Sequence, residues 1–248
     1  MNDVETSDDH HLYGSLAPVY EFIYDRHFDY EAQLDVVRRA IPETEASILE
    51  VGCGTGQLLA LLDATYERVV GVDLHDEMSD IARAAVPTVD VITGDMATLT
   101  LDEQFDGVVM LGRVFPHCLT DDAATRLLEN CRTHLVPGGW IVFNTFDWRG
   151  FKDGRVSEDT YTSDAFEVRR TLESFVTEEA TGRWGFDAVY VITDRETDTS
   201  VTAKETMHLR AHTPDDLRMY LANAGYEDVS LERESSFSLR AVARNPSA

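Results

Sequence analysis

Lysine is nearly missing from this chain. Only Lys152 and Lys204 occur, against 46 Asp and Glu, and the formal net charge is −25. Such an acidic balance argues against a nucleic-acid partner, which requires a basic face. Cysteine is scarce as well: Cys53, Cys118 and Cys131 make an odd count with no C-x-x-C pair, so neither a disulfide framework nor a zinc site is expected. No apolar run approaches the roughly 18 residues of a membrane-spanning helix, so no membrane partner is expected. Met1 to His11 is polar and acidic and lacks the basic and apolar regions of a signal peptide, which makes a cytoplasmic protein the expectation. His10-His11 in that tail either binds a metal or is inert; no other metal site suggests itself. The surplus of carboxylates, with arginine carrying nearly all the positive charge, resembles the solvated surface of a protein from a salt-loaded cytoplasm. At about 1 M salt the Debye length is about 3 Å, which would screen its self-repulsion. A halophilic source is therefore expected.

What the chain does contain is organised around Ser47 to Gln57. Ile48 to Val51 reads as a buried strand, Gly52, Gly54 and Gly56 follow at alternate positions, and Leu58, Leu59, Leu61 and Leu62 open a helix. Glycine lets a ligand press against bare backbone, and a helix start offers free N–H groups. The spacing is G-x-G-x-G, not the G-x-G-x-x-G of dinucleotide folds, and no Gly-Lys-Ser/Thr phosphate loop follows. Glu50, just before the first glycine, would repel a phosphate and suit a cation. Arg68 to Asp73 is a second buried strand ending in an acid, 21 residues past Gly52. An acid there either accepts ribose hydroxyls or caps the next helix, Asp76 to Ala85. Val89 to Thr93 is a third strand, followed by Gly94-Asp95-Met96, and Phe105 to Leu111 is a fourth.

These stretches, in this order, resemble the class I S-adenosylmethionine (SAM)-dependent methyltransferases over about residues 12–243, most specifically over 48–145. The resemblance implies an α/β fold: a Rossmann-like, seven-stranded, mostly parallel sheet with helices on both faces. It also implies SAM as cofactor. By the same resemblance Gly52 and Gly54 lie against the methionine part, Glu50 favours the cation and Asp73 holds ribose. Met78, Asp95 and Met96 meet adenine, and Gly56, Leu74, Leu111 and Tyr20 complete the cofactor-binding set. The reaction implied is direct displacement of the SAM methyl by an acceptor atom. An Asn-Pro-Pro-Tyr type motif, the mark of amino-methylating nucleic-acid enzymes, is absent after strand four, where Leu111-Gly112-Arg113-Val114 stands. A small-molecule acceptor is thus expected.

The remaining segments carry the acceptor. Residues 1–40 read as a tail and lid helices, with Tyr13 and Tyr20 either folding over the cofactor or packing beneath the first helix. Residues 41–147 are the SAM-binding core, Val136-Pro137-Gly138-Gly139 being the turn before a fifth strand, Trp140 to Phe146. Residues 148–163 read as polar and turn-rich. Three β-like runs follow, 165–177, 183–193 and 201–211, an inserted antiparallel sheet that caps the core within 148–212. Residues 213–248 add a helix and a closing hairpin. His117, in the loop past strand four, is either a catalytic base or a histidine packed under the insert. Arg113 either binds an acceptor carboxylate or pairs with surface acids; His208 and Arg210 carry the same two readings. A SAM-fold enzyme of other chemistry and a non-catalytic SAM-binding module are the alternatives. Monomer and homodimer are both compatible with the sequence.

Overall fold

The computed structural model describes residues 12–247; the tail bearing His10 and His11 lies outside the described residues. The chain opens with two short helices, α1 (Ala17–Tyr24) and α2 (Tyr30–Ala40). Asp29 starts the second by accepting a hydrogen bond from Ala32 N, as an N-cap residue should. There follow β1 (Ser47–Val51), α3 (Gln57–Asp63), β2 (Arg68–Asp73), α4 (Asp76–Ala85), β3 (Asp90–Thr93) and β4 (Phe105–Met110). Next are α5 (Asp121–Thr133) and β5 (Leu135–Phe146). After the insert come α6 (Pro214–Asn223) and a last pair of strands.

Strands β1, β2 and β4 are apolar along nearly their whole length because both faces are covered, the pattern of a parallel sheet. Successive residues feed opposite layers. Ile48 packs with Leu34, Val37, Leu59 and Leu62 on the α2–α3 side, and Leu49 with Leu128, Leu217 and Leu221 on the α5–α6 side. The Val136–Gly139 turn lies inside β5 as an irregularity: the partner of Phe105 is Leu135, and that of Gly107 is already Trp140.

The insert has one strand more than the three runs expected. It comprises β6 (Val156–Thr162), β7 (Phe166–Glu178), β8 (Arg183–Asp194) and β9 (Thr199–Arg210), all antiparallel and in that order. The extra strand β6 falls in the stretch read as turn-rich. It is an edge strand with every second residue exposed, held by its ladder to β7 more than by apolar content. With β10 (Glu227–Ser235) and β11 (Ser238–Arg244) the main sheet has seven strands in the order β10-β11-β5-β4-β1-β2-β3, with β11 antiparallel to both neighbours. This is the Rossmann-like sheet expected, and the four-stranded sheet is its cap.

Helix α1 lies on the cap, not on the core. Ile23 and Leu12 pack with Val168, Ala188 and Tyr190. A second apolar joint, of Trp184, Met207 and Leu209 with Phe146, Trp148, Phe151 and Phe237, fastens the cap to the ends of β5 and β11. The chain re-enters the core at α6, where Thr213 and Asp216 form a capping box ahead of Pro214.

Candidate active site

The three acids singled out in the sequence stand at the ends of three adjacent strands, because β1, β2 and β3 are neighbours. The bend after β1 is pinned to β2: Gly52 N and Cys53 N both donate to Val72 O, at 2.7 and 3.1 Å. Gly52 has φ +69°, and a Cβ added there would fall 2.2 Å from Val114 Cγ2. Only glycine fits both the backbone and the space.

Asp73 does two jobs at once. Its Oδ2 accepts from Gly54 N at 2.9 Å and its Oδ1 from His75 N at 3.0 Å. The carboxylate thus shapes the glycine bend, and each oxygen keeps acceptor capacity for a ligand hydroxyl. Glu50 is buried, and its Oε2 has no hydrogen-bond partner. Burial, and then the Asp73 carboxylate beside it, push its carboxyl well above the usual range. A buried acid next to a second acid, with an unused oxygen, is a site prepared for a positive charge.

Glu50, Gly52, Gly54, Tyr20, Tyr30 and Leu111 line one cleft. Met78 Cε and Tyr20 Cε1 lie 3.5 and 4.0 Å from where a Gly54 Cβ would be. Tyr20 therefore comes over the glycine bend from α1, and Gln57 Nε2 donates to Glu21 Oε1 at 3.4 Å from the other side of that contact. Gly56 backs onto α4, where a Cβ would meet Ala82. Past β2, Leu74 is 60 % exposed, an apolar side chain held in solvent beside the buried Met78. Asp95 is exposed and caps its own turn through Ala97 N. Met96 is buried in the core, and its carbonyl is fixed by Asn130 Nδ2 at 2.7 Å, a brace the sequence did not single out.

Next to Tyr20, Tyr13 gathers further aromatic groups. Its ring centroid is 5.4 Å from His75, 5.6 Å from Tyr20 and 5.8 Å from His117, and its hydroxyl is 3.4 Å from His117 Nε2. Arg113, at the end of β4, holds a left-handed φ of +74°, rare for a side chain of its size. Asn144 Oδ1 accepts its backbone N–H, and its Nη1 donates to Thr145 O and Ser238 Oγ. Burial pulls its guanidinium below the usual range, against the charge of Glu234.

Of the two readings given for Arg210, the structure contains the pairing with an acid. Arg210 stands buried at the cap's foot, Nη2 2.7 Å from Asp121 and Nε donating to Thr181 O at 2.8 Å. Its guanidinium joins the cap to the first residue of α5. His208 is exposed against Phe175. Among the described residues no group of His, Cys, Asp and Glu could hold a metal, and no helix is long and apolar enough to cross a membrane.

A strand–glycine bend–helix unit with acids at three strand ends and aromatic side chains of α1 and α2 beside it is the arrangement of a ligand site on a Rossmann-like sheet. Residues 48–139 match the family model described as a methyltransferase domain. The chain is 36 % identical over 131 residues to a dTDP-4-amino-2,3,4,6-tetradeoxy-D-glucose N,N-dimethyltransferase of Saccharopolyspora spinosa, a match covering 51 % of this chain and about half, 52 %, of that relative. It is 32 % identical to a dTDP-3-amino-3,4,6-trideoxy-alpha-D-glucopyranose N,N-dimethyltransferase of Streptomyces venezuelae, over 64 % of this chain and 69 % of the relative. In structure it resembles a SAM-bound amino pentose methyltransferase of Micromonospora echinaspora, with 25 % identity, TM-score 0.78, and coverage of 92 % of this chain and 96 % of that one. It also resembles a sugar N-methyltransferase of a Streptoalloteichus species, with 25 % identity, TM-score 0.80, and 99 % of both chains. The chain belongs to the SAM-dependent methyltransferases, and SAM is its cofactor. The site fits that cofactor: the orphaned, buried Glu50 oxygen suits its cationic end.

Proposed function

We propose that the protein methylates the amino nitrogen of a deoxy amino sugar carried on a nucleoside diphosphate. The observation that carries this reading is the likeness to amino-sugar N-methyltransferases, which in the solved structures extends over the cap and lid as well as the core. Those are the parts where acceptor choice resides.

In this reading Glu50, Gly52 and Gly54 hold the methionine portion of SAM, Asp73 the ribose, and Leu74, Met78, Asp95 and Met96 the adenine. Gly56 and Leu111 close the walls, and Tyr20 the roof. When bound, SAM supplies a methyl group already activated by a sulfonium. The chain's task is then to align the acceptor nitrogen, exclude water and manage one proton. An amine is mostly protonated near neutral pH, and its lone pair is free to attack only once that proton has left. His117, hydrogen-bonded to Tyr13, is the group positioned to take it. Arg113 offers positive charge to the acceptor's anionic part.

The protein also works, in this reading, in a salt-loaded cytoplasm, since 46 acids against 21 bases repel one another in dilute buffer. The test is to incubate it in molar KCl with SAM and each of the dTDP-amino sugars named for its relatives, and to follow mono- and dimethylated product by mass spectrometry. Methylation at the amine supports the reading. No product from any of them, or full activity without salt, removes the corresponding part.

A further inference from the structure

Seven buried side-chain polar atoms have no hydrogen-bond partner among the described residues, and three of them meet on one face of the cap: Arg170 Nε, Tyr190 OH and Glu205 Oε1. Buried polar atoms are nearly always paired, so three orphans together need an account. The register brings them together. Arg170 on β7 lies directly opposite Tyr190 on β8. Tyr190 lies opposite Ala203 on β9, and Glu205, two residues further, shares its face. All three residues are more than nine-tenths buried.

Each group is fixed from one side and left unused on the other. Arg170 donates through Nη2 to Asp159 at 2.9 Å and to the Tyr161 hydroxyl at 3.0 Å, and through Nη1 to the Tyr24 hydroxyl at 3.4 Å, which leaves Nε. Glu205 Oε2 accepts from Leu12 N at 3.2 Å, which leaves Oε1. Tyr190 holds its ring in the apolar layer under α1 and gives its hydroxyl nothing. The cluster is also joined to the site already described. Tyr13, which touches His117, is close enough to Glu205 and Tyr190 for both to bear on its phenol.

The unused atoms are a pure donor, a carboxyl oxygen that accepts when ionised and can donate when it carries the proton, and a hydroxyl that does both. A metal would be refused by the guanidinium and a phosphate by the carboxylate. A ring bearing neighbouring hydroxyl and amino groups satisfies all three. We infer that Glu205, Tyr190 and Arg170 form the specificity pocket of the acceptor, reading the polar groups of the sugar ring next to the methylated nitrogen. This rests on the amino-sugar reading given above.

The test is calorimetric, so that no turnover is needed. The full chain, loaded with S-adenosylhomocysteine in molar KCl, is titrated with two of the nucleotide sugars named for its relatives. One is dTDP-3-amino-3,4,6-trideoxyglucose, which keeps the ring hydroxyl at C2 beside the amine; the other is dTDP-4-amino-2,3,4,6-tetradeoxyglucose, which has no ring hydroxyl left. Two variants are compared with wild type. Tyr190→Phe removes only an unpaired hydroxyl and should melt no lower than wild type. Glu205→Gln keeps an oxygen for Leu12 N. Each should weaken binding of the hydroxyl-bearing sugar by about tenfold or more, and of the tetradeoxy sugar by clearly less. If wild type binds these sugars and both variants bind them equally well, the pocket is refuted while the amino-sugar reading stands. A loss of binding that comes with a lowered melting temperature in Tyr190→Phe assigns the cluster to packing and also refutes it. If wild type binds neither sugar, the amino-sugar reading falls and the pocket with it.

Discussion

Glu205 can be interrogated by stability alone, whatever the acceptor proves to be. Burial pushes its carboxyl from the ordinary 4.5 up to about 7, with the Leu12 N–H pulling the other way. Between those two values the folded chain keeps a proton that the unfolded chain releases. The folded state therefore binds more protons, and stability falls as pH rises through that window. A shift of about 2.5 pKa units, at about 1.4 kcal/mol each, amounts to about 3 kcal/mol. His212 works in the opposite sense. It is buried, and burial followed by the charge of Arg210 pulls it down to about 3. The unfolded chain then binds the extra proton between about 3 and the ordinary 6.5, and stability falls as pH drops below that value. The wild-type profile mixes both, so the quantity to read is the difference between wild type and Glu205→Gln. The variant keeps the side-chain volume and the Leu12 contact but does not titrate. Urea unfolding in constant molar salt, which screens exposed charges far more than buried ones, gives that difference. Taking the offset at about pH 5 as zero, the variant should gain about 2.5 kcal/mol over wild type by about pH 8, the rest of the shift lying below pH 5. A difference that stays flat over this range would mean Glu205 is hydrated in the folded protein, and the burial reasoning, with the pocket built on it, would fail.

Three further substitutions probe the cofactor side and the proton. Asp73→Ala should abolish SAM binding by calorimetry, and it should also destabilise the fold by about 2 kcal/mol, since Gly54 N and His75 N both lose their acceptor. Asp73→Asn separates the two effects: it should recover much of the stability and little of the affinity, and unchanged SAM affinity in both variants would remove Asp73 from the site. Glu50→Gln should weaken SAM by about tenfold, about 1.4 kcal/mol, while the free protein melts no lower, because the buried Glu50 Oε2 has no hydrogen-bond partner to lose. Equal affinity would leave Glu50 without its cation. His117→Ala should slow turnover more than it weakens SAM binding, and a wild-type rate would leave the histidine as packing against Tyr13.

The core was readable because its signals are local. Arg68–Asp73 and Asp76–Ala85 have in the structure the same bounds as in the sequence reading, since an unbroken apolar run ending in an acid and a helical stripe ahead of Pro87 each define an element without outside help. The extra strand β6 had no such signal. Its few apolar residues would not make a strand alone, and it exists because β7 offers an unpaired edge. Arg210 kept two readings in the sequence for a related reason: its partner Asp121 lies in a helix far away in the chain, and only the fold brings it to 2.7 Å.

The same distinction explains why the three residues of the proposed acceptor pocket carried no signal in the sequence while the strand-end acids did. Glu50, Asp73 and Asp95 each end a strand of a parallel sheet, so their positions relative to one another follow from strand order. Arg170, Tyr190 and Glu205 lie in the middle of long antiparallel strands, where a one-residue slip in pairing would turn each of them to the opposite face. Nothing in their own stretches fixes that pairing. It is fixed by apolar packing on α1 and by the cap's joint to β5 and β11. Substitutions such as Ile23→Ala, which loosen α1 on the cap, should therefore disturb the acceptor side before they disturb SAM, even though Ile23 touches neither ligand in this scheme. The cradle is carried by β1 and β2, whose packing belongs to a separate core, and it has no reason to follow.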